Sequence, residues 1–255
     1  MAQPLRQEVL NEETAAMLRR LIGPKGRRMV HRYARKWFGL HITTVQERRF
    51  DLWYYEMNAT FARRLMHFEI MLRKLEDVDG RIVECGVGPG RSILGFSVIS
   101  QYLTRPREIV GFDTFEGIPP PTVEDGEVSA HKAGWWHHSM DNVVELLKHN
   151  GLSESFIEKK ISFQPGLFED TLPKYDGVPI ALLHLDIDFY ESYKTALREL
   201  WPYLAPGGIV AFDEYRKPVF PGATQAVDEF FADRLEKPVK SDVTNLYYVV
   251  KSCGY

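Results

Sequence analysis

The chain has 255 residues, 44% of them hydrophobic and 26% charged, with a net charge of −3. This is the composition of an ordinary globular protein, with room for one full α/β domain or two small ones. Cys85 and Cys253 are too few for a disulfide framework, no apolar run approaches a membrane span, and the N-terminus lacks a signal-peptide core, so a cytoplasmic protein with no membrane partner is expected.

The charge is unevenly placed. Residues 1–50 carry 11 Lys+Arg against 4 Asp+Glu, a balance of +7, while the remainder carries 21 against 31, a balance of −10. "NEETAAMLRRLI" predicts a helix that stops at Gly23-Pro24. "RRMVHRYARKWF" predicts a second, with Met29, Val30, Tyr33, Trp37 and Phe38 on one face and Arg28, Arg32, Arg35 and Lys36 elsewhere. A helix of that kind docks on its own domain or forms a homo-oligomer. The acidic remainder argues against a nucleic-acid partner. "TFARRLMHFEIMLRKL" makes a third helix, so residues 1–75 read as a helical N-terminal extension.

From residue 80 short apolar runs alternate with amphipathic stretches, as in βα units. Strands are expected at 81–87, 107–114, 161–166, 179–187 and 208–213, with two more near 239–244 and 246–252 pairing antiparallel at an edge. "SYKTALRELWPYL" places Tyr193, Ala196, Leu197, Leu200, Trp201 and Leu204 on one stripe, a helix packed on a sheet. The fold class implied for 76–255 is a Rossmann-like, doubly wound α/β sheet of seven strands. The connection 115–138 is too long for a simple turn and is a candidate active-site lid.

Two groups of residues suggest chemistry. "IVECGVGPGRS" runs from a strand through Gly86, Gly88 and Gly90 into a helix, which lets backbone approach a ligand closely. The next strand ends at Asp113, where an acid can bond both hydroxyls of a ribose. Those signals fit a dinucleotide or S-adenosylmethionine. Glu84, suited to an ammonium group, and the turn in "LAPGGIVAFDEY" favour the latter. The second group is carboxylate. Asp186 and Asp188 in "HLDIDFYES" share a side if the chain stays extended, at the end of a fully buried strand. Asp213 and Glu214 end the neighbouring strand. Three converging anions, Asp186, Asp213 and Glu214, repel unless a cation sits among them, and all-oxygen ligands select Mg²⁺ first. His184, on the apolar strand, is expected to be a core histidine.

"VECGV", "DTFEGIP", "SFQPGLFEDTLP", "LDIDFYES", "ALRELWPYLAPGG", "FDEY" and "GATQAVDEF" occur in order over roughly residues 80–235. In these the chain resembles the macrocin O-methyltransferase family, whose members methylate deoxysugar hydroxyls in antibiotic biosynthesis. The resemblance implies Asp186, Asp213 and Glu214 as metal ligands and Asp188 as general base. It places cofactor contacts at Glu84, Gly86, Asp113, Ser139, Leu167 and Phe168, with Asn58 as a further one; Gly88, Gly90, Arg91 and Ser92 of the glycine loop and Phe115 after Asp113 are expected to join them. Asp213-Glu214 departs from the usual two aspartates, and Gly88-Pro89-Gly90-Arg91 from the usual Trp-Arg-Gly-Gly. The expected reaction is Mg²⁺-dependent methyl transfer from S-adenosylmethionine to a sugar or sugar-nucleotide hydroxyl, TDP-rhamnose first and a glycosylated intermediate second. A metal-dependent catechol or phenol methyltransferase is the alternative. An NAD-linked oxidoreductase would leave the acids without purpose.

Overall fold

The computed structural model describes residues 58–103, 106–126, 134 and 137–253. The two helices expected before residue 50, including the basic one, and lid residues 127–133, 135 and 136 lie outside the described residues. Helix α1 (Ala59–Lys74) starts where Asn58 Oδ1 accepts the Phe61 N–H at 2.9 Å, and buries His67, Phe68, Met71 and Leu72. It packs with the sheet in one compact unit, Met57–Tyr255. Phe68 meets Phe96 of the following helix with ring centroids 4.3 Å apart. The buried Arg107 side chain donates to the carbonyls of Leu75, Val78 and Gly80, which fixes the turn from α1 into the sheet.

The elements then run β1 (Arg81–Cys85), α2 (Arg91–Gln101), β2 (Ile109–Asp113), α3 (Met140–His149), α4 (Glu154–Lys160), β3 (Ile161–Pro165), α5 (Phe168–Thr171) and β4 (Ile180–Leu185). There follow α6 (Tyr190–Leu200), β5 (Leu204–Phe212), α7 (Pro221–Phe231), β6 (Val239–Lys240) and β7 (Tyr247–Val250). The sheet order is β3-β2-β1-β4-β5-β7-β6. The first five strands are parallel, while β7 runs antiparallel to both β5 and β6. This is the doubly wound seven-stranded sheet the pattern predicts.

Central strands are buried on both faces. Ile180, Leu183 and Leu185 of β4 enter the core shared with Tyr193, Leu197, Ala223 and Val227 of α6 and α7. Ala181 and Leu182 enter the other, with Phe68, Leu72, Ile93, Phe96 and Leu147 from α1, α2 and α3. Burying each such large apolar side chain contributes roughly 1.5–3 kcal/mol.

Several strand bounds differ from expectation, β1 ending at Cys85 rather than 87 and β6 at Lys240 rather than 244. β4 stops at Leu185, two residues early, and β5 begins at Leu204 rather than 208. In β5 the pairing passes from Ile180↔Leu204 to Leu182↔Ile209, so Ala205–Gly208 form a bulge with Gly207 at φ 77°. The proline-glycine-glycine run therefore bends a strand instead of preceding one.

Sheet order reverses direction between β1 and β4, and ligands of open α/β sheets bind at such switch points. Backbone bonds hold the strand ends in line. Gly86 N donates to Phe112 O at 2.9 Å, Asp186 N to Cys85 O at 3.0 Å, and Asp213 N to Leu185 O at 2.9 Å. Among the described residues no helix is long and apolar enough to cross a membrane.

Candidate active site

The glycine loop closes the β1 end. Gly86, Gly88 and Gly90 have φ of 86°, 50° and 87°, a region that strains other residues. A Cβ at Gly86 would overlap the Asp186 carbonyl oxygen, and one at Gly90 would press on Val143 of α3 at 2.6 Å. A Cβ at Gly88 would meet nothing within 4 Å, so the loop is open on that side. Asp113 ties this region together. Its Oδ2 accepts Gly88 N at 2.9 Å, its Oδ1 accepts Phe115 N at 2.8 Å, and its carbonyl accepts Gly166 N at 2.9 Å.

The other expected cofactor residues gather around this acid to different degrees. Phe115 is itself at φ 57° and packs edge-on to Phe163. Leu167, 40% exposed, and Phe168 follow Gly166 at the β3 end. Ser139 caps α3, its Oγ accepting Asn142 N at 3.3 Å, and α3 is the helix that Gly90 abuts. Arg91 and Ser92 open α2, with the Arg91 guanidinium 4.3 Å from the Phe61 ring centroid. Asn58 uses its side-chain oxygen to cap α1. His138, at the returning end of the candidate lid, lies close enough to Asp113 for the carboxylate to act on it; burial still lowers its pKa.

Glu84, the other expected cofactor contact on β1, lies within the strand. It is fully buried beside His184 in the paired register, with Oε1 2.9 Å from His184 Nδ1. Burial raises the Glu84 pKa and lowers that of His184, while the hydrogen bond and charge between the two act in the opposite sense. Phe68 and Phe96 stand edge-on to the imidazole at 5.1 and 5.5 Å. Glu84 Oε2 and His184 Nε2 are buried without a hydrogen-bond partner among the described residues.

Across the switch point lie the acids. Asp186 Oδ2 and Asp213 Oδ1 converge on one atom, Nη2 of Arg64, at 2.5 and 2.7 Å. Lys217, one turn beyond Asp213, holds its other oxygen at 2.6 Å. Burial opposes the charge on Asp213, yet Arg64 and Lys217 outweigh it and hold the pKa well below the usual carboxylate range. For Asp186 burial wins, aided by Asp213, and the pKa rises.

Glu214 is placed differently from the third ligand the sequence implies. Its Oε2 accepts from Tyr193 OH at 2.8 Å, Ile187 N at 3.2 Å and Asp188 N at 3.4 Å. β5 ends at Phe212, and beyond it Asp213 meets Arg64 and Lys217 while Glu214 turns to the N–H groups of Ile187 and Asp188. Burial, then Asp186, Asp213 and Asp188, raise its pKa well above normal. The structure thus brings two of the three expected ligands to a common point and sets the third behind them.

Asp186 and Asp188 also part company. β4 has already ended, and Asp188 takes φ 58° in a turn closed by Phe189 N donating to Ile187 O at 2.6 Å. An i→i+2 bond around a positive-φ residue is the arrangement of the rare, strained γ-turn. The two-residue alternation assumed for an extended chain does not reach it.

A hard cation fits part of this site. Two carboxylate oxygens present to one point, a cationic nitrogen already stands there, and a ring nitrogen of His184 lies within 4.8 Å of both carboxylates. An adenosyl ligand fits the open glycine loop beside Asp113. Sequence reasoning missed Arg64 and Lys217. The available signal was that Arg64 falls on the buried stripe of α1, three and four residues before His67 and Phe68, where a cation needs an anionic partner.

A family model described as Macrocin-O-methyltransferase (TylF) matches residues 45–249. The chain is 33% identical over 154 residues to 8-demethyl-8-(2,3-dimethoxy-alpha-L-rhamnosyl)-tetracenomycin-C 4'-O-methyltransferase of Streptomyces olivaceus, covering 55% of this chain and 54% of that one. It is 31% identical over 179 residues to demethyldecarbamoylnovobiocin O-methyltransferase of Streptomyces niveus, covering 68% and 66%. The matched region thus spans between about half and two thirds of the length of these relatives. The crystal structure of CalS11, a calicheamicin methyltransferase, superposes with a TM-score of 0.67 at 25% identity, over 98% of this chain and 97% of that one. The match over residues 45–249 takes in β1 to β6, all but the last residue of β7, the glycine loop and both acids at the switch point: the chain belongs to the macrocin-O-methyltransferase (TylF) family.

Proposed function

We propose that the protein transfers a methyl group from S-adenosylmethionine to a hydroxyl of a deoxysugar, assisted by a divalent cation, Mg²⁺ first, that Asp186 and Asp213 would hold. The observation that carries this reading is the convergence of Asp186 Oδ2 and Asp213 Oδ1 on one point, across the switch point from the open Gly88 loop and Asp113. When bound, S-adenosylmethionine supplies an electrophilic methyl group, and a divalent cation beside the acceptor lowers its hydroxyl's pKa.

The chain's own residues bind, orient and take the proton. Asp113 already organises the Gly88 and Phe115 N–H groups and keeps lone pairs for the ribose hydroxyls. Asp188, just past the β4 end, takes the acceptor's proton; a positioned base contributes roughly 10²–10⁴-fold. Glu214 fixes the turn that carries that base through the N–H groups of Ile187 and Asp188. A deoxysugar is favoured as acceptor because one relative's name specifies a rhamnosyl compound.

Incubating the protein with S-adenosylmethionine, Mg²⁺ and a panel of acceptors tests the reading, with one added methyl read by mass. The panel contains TDP-rhamnose, rhamnosyl glycosides and catechols. Methylation of a sugar hydroxyl, abolished by EDTA and restored by Mg²⁺, is expected. Methylation confined to catechols would overturn the sugar reading, and full turnover in exhaustively chelated buffer would overturn the cation's role.

A further inference from the structure

Arg64, like Lys217, is used by neither the motifs nor the proposed chemistry. It reaches the acids from α1, and one nitrogen, Nη2, touches one oxygen of Asp186 and one of Asp213. We propose that Arg64 is an internal competitor of the divalent cation, neutralising the Asp186–Asp213 pair in the metal-free protein and withdrawing when the ion enters. This rests on the reading of that pair as the ion's ligands.

Three observations support it. The guanidinium nitrogen occupies the point where the two carboxylate oxygens converge. A cation ligated by oxygens at about 2.0–2.6 Å must take the same point, so one site cannot hold both positive charges. The contact is also not the one a permanent clamp would use. Guanidinium and carboxylate pair best through two parallel N–H···O bonds, whereas Arg64 commits a single nitrogen to two acids and leaves Nε buried without a partner among the described residues. Finally, the side chain is partly open to solvent. It is 24% exposed, against 8% for Asp213, and its guanidinium carbon already lies 5.7 Å from the Phe68 ring centroid, a face that accepts a cation.

Lys217 completes the balance. It holds the other oxygen of Asp213 and need not move for the ion to bind at the first. Because Arg64 is rooted in α1, occupancy of the acid pair is coupled to that helix, the element immediately before the methyltransferase sheet.

Calorimetric titration of Mg²⁺ into metal-free wild type and Arg64→Gln tests the proposal without reference to activity. The variant is expected to bind Mg²⁺ at least tenfold more tightly and to show a larger Mg²⁺-induced rise in Tm. In wild type, NMR of the arginine Nε–H groups should show the Arg64 resonance shifting and exchanging faster as Mg²⁺ is added, which separates withdrawal from simple charge repulsion. This second readout also stands if Arg64→Gln fails to fold. Equal or weaker affinity in the variant, or an Arg64 resonance unmoved while wild type binds Mg²⁺, overturns the competition and leaves the cation reading intact. Absence of Mg²⁺ binding to either protein overturns both.

Discussion

Asp188 holds a backbone conformation that costs a side chain energy, and the surrounding groups keep it there. At φ 58° it sits in a region favoured only by glycine and, among other residues, by asparagine and aspartate. Glu214 Oε2 receives its N–H, and the Phe189 N–H reaches back to the Ile187 carbonyl. Strain maintained this way is common where a side chain must be aimed. Asparagine tolerates the same φ, so Asp188→Asn keeps the turn and removes the proposed base. kcat should fall on the order of 10²-fold while S-adenosylhomocysteine affinity stays within about threefold, read by steady-state kinetics and calorimetry. An unchanged kcat would show that Asp188 is not the base. The residue types were legible in "HLDIDFYES", but the turn was not, because period-two reasoning assumes an extended chain and the strand ends at Leu185.

Asp125 shows how elements outside the sheet bear on the same turn. It is buried in the described part of the candidate lid, where its Oδ2 accepts Thr122 N at 2.8 Å and so caps a short 3₁₀ turn. Its Oδ1 accepts Tyr190 N at 2.8 Å, the first N–H of α6, two residues after Asp188. Anionic side chains are stabilising at a helix N-terminus, and Asp125 lies there from 65 residues away. A Cβ at Gly222 of α7 would overlap the Asp125 carboxylate, so three elements close on it. Asp125→Ala strands the buried Tyr190 N–H and the part-buried Thr122 N–H and should destabilise the protein by about 1–3 kcal/mol, measured by urea denaturation. A change below about 0.5 kcal/mol would show the anchor to be dispensable. Local pattern located α1, α6 and all seven strands. It could not reveal Asp125 or Arg64 as partners of distant acids, since those contacts join residues 65 and 122 apart.

Over the whole molecule, the parallel half of the sheet divides the work. The ends of β1, β2 and β3 carry the glycine loop, Asp113 and Leu167, all tied by hydrogen bonds or chain adjacency to Asp113. The ends of β4 and β5 carry Asp186 and Asp213, stabilised by Arg64 and Lys217. The two halves meet where the sheet order reverses, with Gly86 packed on the Asp186 carbonyl. This division was readable from strand-end residues because a parallel sheet aligns its C-terminal ends. Which acid faces the ligand was not readable, because it depends on where each strand stops. On the proposed function, cofactor binding and chemistry fall on different strand ends and are separable by mutation. Asp186→Asn preserves size and hydrogen bonding while removing one charge from the acid pair. Measuring its methyl-transfer rate and its S-adenosylhomocysteine Kd on the same preparation is the most direct test. The rate should fall by about 10²-fold or more while Kd remains within about threefold of wild type. A rate equal to wild type, or a loss of cofactor binding as large as the loss of rate, would contradict it.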